Sequence, residues 1–163
     1  MMKVGSPIGM QYRDPSMAEG VFYTFWFEKN LQGDIVAIYN EGGTKLISYT
    51  YDAWGNVSTT FGHSGHWWEA SLNPFRYRGY YYDIETGFYY LNSRYYNPNW
   101  GRFINADGYV STGTGLLGHN MFAYCNNNPI LLVDPDGNWP RWITATVAVA
   151  CLAVCAVSIA TLR

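Results

Sequence analysis

The chain has 163 residues and a formal charge of −2, enough length for one domain with a core of its own. Aromatic residues make up 18% of it and charged residues only 13%, with 15 Tyr, 7 Trp and 17 Gly; this favours an all-β fold, because Tyr and Trp cover pleated surfaces and Gly serves tight turns. No basic run is present, which excludes an electrostatic footprint for nucleic acid, and Cys125, Cys151 and Cys155 form neither a disulfide framework nor a zinc site.

Residues 1–20 are polar and without periodicity, so a flexible lead-in is expected. They contain no apolar stretch of the kind a secretory signal needs, and no element that would cap a sheet, which points to a piece of a longer chain. Residues 21–27, VFYTFWF, are aromatic and β-prone. Residues 34–39 read as a strand, Asn40-Glu41-Gly42-Gly43 as a turn and residues 45–51 as the returning strand of a hairpin. Asp52-Ala53-Trp54-Gly55 is a second turn, followed by a strand over residues 56–61. Residues 62–73 read as an irregular loop holding His63, His66 and a Trp67-Trp68 pair. Three Tyr-rich strands are expected over residues 74–82, 88–95 and 102–104, with turns centred on Gly87 and Gly101. Residues 107–120 read as a loop, 121–125 as a short helix or turn, Asn126-Asn127-Asn128-Pro129 as a turn and 130–133 as a short strand ending at Asp134-Pro135-Asp136-Gly137.

An internal repeat organises this run. Tyr51-Asp52 precedes Gly55, Tyr82-Asp83 precedes Gly87, and Tyr96-Asn97 precedes Gly101. A strand ends in Tyr, Asp or Asn bonds the turn backbone, and Gly takes the positive φ that closes it. Each unit is one hairpin edge that cannot bury its own face, so the units must stack. A generic β-meander with common turn residues is the alternative.

Residues 49–57, YTYDAWGNV, resemble a YD repeat. Residues 73–137, from NPFRYRGYYYDIETGFYY through NMFAYCNNNP to VDPDG, resemble the Rhs repeat-associated core. The likeness extends over residues 29–137 and implies a mainly β fold of stacked β-hairpins over residues 21–137. It also implies a role as the encapsulating plug of a hollow shell in a bacterial polymorphic toxin or contact-dependent system. Partners implied are the remaining Rhs shell and a cognate toxin or immunity protein. A variable effector follows the DPxG motif in this family, whereas residues 138–163 are too few for an enzymatic domain.

The resemblance also implies a self-cleaving aspartic protease as an alternative, since some relatives cut themselves after this motif. Two carboxylates sharing one proton would be required. Carried over by motif, Asp107 and Asp134 are the catalytic pair and Arg94 the supporting arginine. Gly108 stands where the family has Pro, and Asp136 competes with Asp134 for the second position. Read from the residues alone, both aspartates are turn formers. His63 and His66 lie in a Gly/Ser setting with no companion ligand, so neither a metal nor any other cofactor is expected; His119 is isolated. Cys125 has no neighbouring base and reads as buried.

Residues 142–162 carry no charge. As a helix they would span roughly 30 Å, the thickness of a bilayer core, with Pro140 at the start and Trp139 and Trp142 at the interface. A transmembrane helix is therefore expected over this tail, with membrane contact through residues 142–162. A cell-membrane, secreted or cell-surface location follows, and a membrane-anchored carbohydrate-binding surface β-protein is the third reading.

Overall fold

The computed structural model describes residues 7–13, 15, 18–62, 67–108, 120–138 and 140–142. The chain is mainly β. Five antiparallel strands form a meander in chain order: β1 (Gly9–Tyr12), β2 (Tyr23–Lys29), β3 (Ile35–Asn40), β4 (Lys45–Tyr51) and β5 (Val57–Phe61). A short helix, α1 (Trp67–Ser71), leads to a second meander of β6 (Tyr81–Asp83), β7 (Phe88–Tyr90), β8 (Tyr95–Asn97) and β9 (Arg102–Phe103). A last antiparallel pair joins β10 (Leu132–Val133) to β11 (Arg141–Trp142).

Two cores hold these layers. Phe25, Ile35, Ile38, Leu46, Ile47, Tyr49 and Ala70 fill the first. Leu46 and Ile47 are sequence neighbours, which strict alternation would send to opposite faces. The β3–β4 register shifts at this point, from Ile38 opposite Ile47 to Tyr39 opposite Lys45, and both side chains are buried. The second core is built largely of tyrosine: Tyr77, Tyr80, Tyr89, Tyr96 and Tyr124 pack with Leu91, Phe103, Cys125 and Leu132. Tyr51 packs against both.

Why tyrosine and not phenylalanine is answered by the hydroxyls. Those of Tyr77, Tyr96 and Tyr89 donate to the successive carbonyls of Ala53, Trp54 and Gly55 at 2.8, 2.7 and 2.9 Å. The Tyr51 hydroxyl donates to the Ile35 carbonyl at 2.7 Å. Each ring fills the core while its tip satisfies a backbone carbonyl, in three of the four cases one in the turn after β4. Burial raises the phenols of Tyr51, Tyr77, Tyr89 and Tyr96, and those of Tyr80 and Tyr124, above their ordinary pKa.

The hairpin turns fall where the sequence puts them, at Gly43, Gly55, Gly87 and Gly101, all with positive φ. Four local expectations are corrected. Residues 9–12, read as part of a flexible lead-in, form β1, because Gly9 to Tyr12 pair along β2 from Trp26 to Tyr23. Residues 67–71, read as loop, are helical. The expected strand over residues 74–82 is broken by a 3-10 turn at Tyr77–Gly79 in which Arg78 adopts φ 54, held there by Asp34, whose Oδ1 accepts the Arg78 backbone N–H at 2.8 Å. The expected strand over residues 88–95 folds back on itself at Leu91 to Arg94, with Asn92 at φ 64.

The tail expectation changes at its first residue. Trp142, placed at the start of a helix, lies in β11 opposite Leu132. The rest of the expected helix, residues 143–162, lies outside the described residues, as do His63, His66, His119, Cys151 and Cys155. Among the described residues no helix is long and apolar enough to cross a membrane, and no group of three or more His, Cys, Asp or Glu is placed to hold a metal ion.

Candidate functional site

Arg94, Asp107 and Asp134 come together. Arg94 closes the β7–β8 hairpin, where its carbonyl accepts the Leu91 N–H at 2.9 Å. Asp107 follows β9, and its backbone N–H donates to the Met121 carbonyl at 2.9 Å. Asp134 follows β10 and is buried. One guanidinium nitrogen of Arg94, Nη2, lies 3.2 Å from Asp107 Oδ2 and 3.5 Å from Asp134 Oδ2. Its Nη1 donates to the Met121 carbonyl at 3.1 Å and its Nε donates to the Gly137 carbonyl. The guanidinium carbon, Cζ, lies 3.6 Å from the centre of the Phe103 ring, a close cation–π contact.

Electrostatics follow from this crowding. Burial lowers the Arg94 pKa, while Asp107, Asp134 and Asp136 act in the opposite direction. A guanidinium remains charged through such a shift, so a cation stands between the two carboxylates. Asp134 is further fixed through Oδ1, which accepts the Asn138 N–H at 3.1 Å, and through its carbonyl, which accepts the Tyr80 hydroxyl at 2.8 Å. Asp136 Oδ1 accepts the same Asn138 N–H at 3.3 Å. Of the two candidates for the second carboxylate, Asp134 lies 3.5 Å from Arg94 Nη2.

The DPDG turn is bound to the β7–β8 turn along its whole length. Asn92 Nδ2 donates to the Pro135 carbonyl at 3.3 Å and Ser93 Oγ to the Asp136 carbonyl at 2.7 Å, and Arg94 takes the next carbonyl, that of Gly137. Gly137 has φ +73, and a Cβ there would sit 2.6 Å from both the Leu91 carbonyl oxygen and Ser93 Oγ. The sequence pattern singles out Arg94 but not Asn92 and Ser93. Their signal is the Asn-Ser turn pair inside a run that otherwise reads as strand.

No family model matches the chain. A tRNA nuclease, WapA of Bacillus subtilis (strain 168), is 41% identical over 126 residues, covering 77% of this chain and 5% of that protein. Toxin subunit YenC1 of Yersinia entomophaga is 40% identical over 101 residues, covering 61% of this chain and 10% of the subunit. The crystal structure of TcdB2-TccC3 matches with a TM-score of 0.61 and 28% identity over 77% of this chain and 6% of that one. The Tc holotoxin pore of Photorhabdus luminescens matches with a TM-score of 0.61 and 26% identity over 79% of this chain. The chain is Rhs-related. This Rhs-related chain spans only about a twentieth of the WapA proteins it matches, so it is similar to one toxin-associated segment of much longer proteins. The activities printed in those names belong to those proteins.

Proposed function

We propose that this chain is an Rhs repeat-associated core segment that plugs the end of a toxin shell and anchors the turn after which the variable segment begins. The observation that carries the reading is the clamp on the DPDG turn. Three consecutive residues, Asn92, Ser93 and Arg94, hold three consecutive carbonyls, Pro135 to Gly137. Arg94 at the same time ties Asp134 to Asp107. Such a clamp fixes the turn whatever sequence follows it. One similar solved structure is that of TcdB2-TccC3 without its hypervariable C-terminal region, which fits an anchored turn preceding a variable segment. In this reading the partners are the upstream shell, the cargo beyond Gly137 and the immunity protein of that cargo, and the protein is secreted or surface-delivered. The test is limited proteolysis of the longer protein with Arg94→Gln combined with Ser93→Ala. Cutting between residues 134 and 142 should accelerate at least about tenfold, as expected for an opening that becomes about 1.4 kcal/mol easier. An unchanged cutting rate overturns the anchor.

A second reading, self-cleavage, is favoured by the convergence of Asp107 and Asp134 on one nitrogen. An aspartic pair works by sharing a proton, so one carboxylate must be neutral. Intact masses of the longer protein and its Asp107→Asn and Asp134→Asn variants separate the readings. Loss of the segment beyond Gly137 in the parent alone supports the protease, and three full-length masses leave the cluster a clamp.

A further inference from the structure

Arg76 is a cation with no counter-charge. Its backbone is fixed across both cores: the N–H donates to the Tyr80 carbonyl, and the carbonyl accepts the N–H groups of Ile35 and Gly79, all at 3.1 Å. From that anchor the half-buried side chain reaches over two tyrosine rings, with Cζ 4.3 Å from the centre of Tyr82 and 5.4 Å from that of Tyr49. Arg78 has Asp34, and Arg94 has Asp107 and Asp134. Among the described residues no carboxylate pairs with Arg76, and no acceptor takes any of its side-chain N–H groups. Its Nε is sealed from water all the same. The Tyr49 hydroxyl is also buried without a hydrogen-bond partner, on a residue only 3% exposed. Asn73, the side chain that bears on this hydroxyl, has its amide engaged by the Phe75 N–H and carbonyl.

We infer that Arg76 and Tyr49 form a binding site for a carboxylate. Folded proteins rarely leave buried donors unpaired, and one oxyanion accepts from both of these. Ring contacts use the flat faces of a guanidinium and leave its N–H edge, whose fork matches the two oxygens of a carboxylate. Charge balance selects the carboxylate among oxyanions. A single cation neutralises a single negative charge, whereas a phosphate dianion would bring a second, uncompensated charge among tyrosine rings. Burial raises the Tyr49 phenol above its ordinary pKa, so at neutral pH the hydroxyl keeps the proton it donates. The carboxylate comes from an acidic side chain of a polypeptide or from a free carboxylic acid. This inference is independent of the shell reading.

The test is titration of the whole chain with sodium acetate, against inorganic phosphate and sodium chloride at matched ionic strength, read on the arginine Nε–H signals by NMR. The Arg76 signal should shift saturably with acetate, with a dissociation constant of about 10 mM or below, and respond to phosphate at least about tenfold more weakly. The Arg94 signal should stay still, because its Nε–H already donates to the Gly137 carbonyl. Tyr49→Phe keeps the ring and should weaken acetate at least about threefold. Arg76→Lys keeps the charge but loses the fork, and should weaken acetate at least about tenfold as read on the Tyr82 ring signals. Phenylglyoxal labelling of Arg76 in the longer protein separates the two sources. Labelling slower than in the chain alone and indifferent to acetate marks an acidic side chain already in place, and equal labelling that acetate slows in both marks a free acid. No saturable shift at about 100 mM acetate overturns the inference, as does an equal response to chloride, which is ionic screening only, or unchanged affinity in either variant.

Discussion

Replacing Gly55 by Ala tests whether the repeat glycine serves only the turn or also the packing of the next unit. Gly55 has φ +93, and a Cβ built on it would lie 2.7 Å from Tyr77 Cδ1 and 2.9 Å from Cγ. Two penalties add. An L-residue held at positive φ costs about 1–2 kcal/mol, and pushing a methyl group into a packed ring costs about 1–3 kcal/mol more. The Tyr77 ring has little room to give, since it contacts the rings of Tyr51, Tyr80 and Tyr89 and its hydroxyl is tied to Ala53. The total, about 2–5 kcal/mol, is a large share of the 5–15 kcal/mol that stabilises an ordinary domain. Gly43→Ala is the control: φ is +77 and nothing lies within 4 Å of a Cβ, so only the first penalty applies. With a urea slope of about 1–3 kcal/mol per molar, Gly55→Ala should lower the midpoint by about 0.3–3 M beyond Gly43→Ala. In a Tyr77→Leu background the excess should shrink, as a double-mutant cycle would register. Equal midpoints for Gly55→Ala and Gly43→Ala would refute the packing half of the argument.

Tyr89→Phe keeps the ring but strands the buried Gly55 carbonyl; a loss of about 1–3 kcal/mol in urea unfolding is expected. Asp34→Ala leaves Arg78 without its carboxylate. Their side chains are only 5% and 2% exposed and lie 3.6 Å apart, so a loss of about 3–5 kcal/mol is expected by the same measurement, larger than for any surface charge. Spectrophotometric titration of the phenols should show a late, cooperative step. Half-buried Tyr51 and buried Tyr77, Tyr80, Tyr89, Tyr96 and Tyr124 all have raised pKa values in the fold. Above pH about 10 the unfolded chain therefore holds fewer protons than the folded one, so stability falls as pH rises and these phenols ionise with alkaline unfolding. Gradual ionisation at pH about 10 without loss of structure would show that the rings are accessible.

Local chemistry makes much of this protein legible in its sequence. The Tyr-Asp/Asn-x-x-Gly signal reports where a strand must stop, because Gly takes the positive φ that follows without steric cost, and the turns at Gly55, Gly87 and Gly101 stand where that signal places them. Hydrophobic β-prone runs mark β3, β4 and β5 for the same local reason. Motif likeness picks out Arg94, Asp107 and Asp134, and they meet. What the sequence could not carry is whatever depends on a partner distant along the chain. Arg78 interrupts a tyrosine-rich run only because Asp34, far upstream, captures its backbone N–H. Gly9 to Tyr12 become a strand only because β2 offers them an open edge. Trp142 joins a strand rather than starting a helix because Leu132 stands opposite it. The surroundings of Arg94 are of the same kind: the carboxylates and carbonyls that it contacts come from distant parts of the chain, and that contact exists only once the chain has folded.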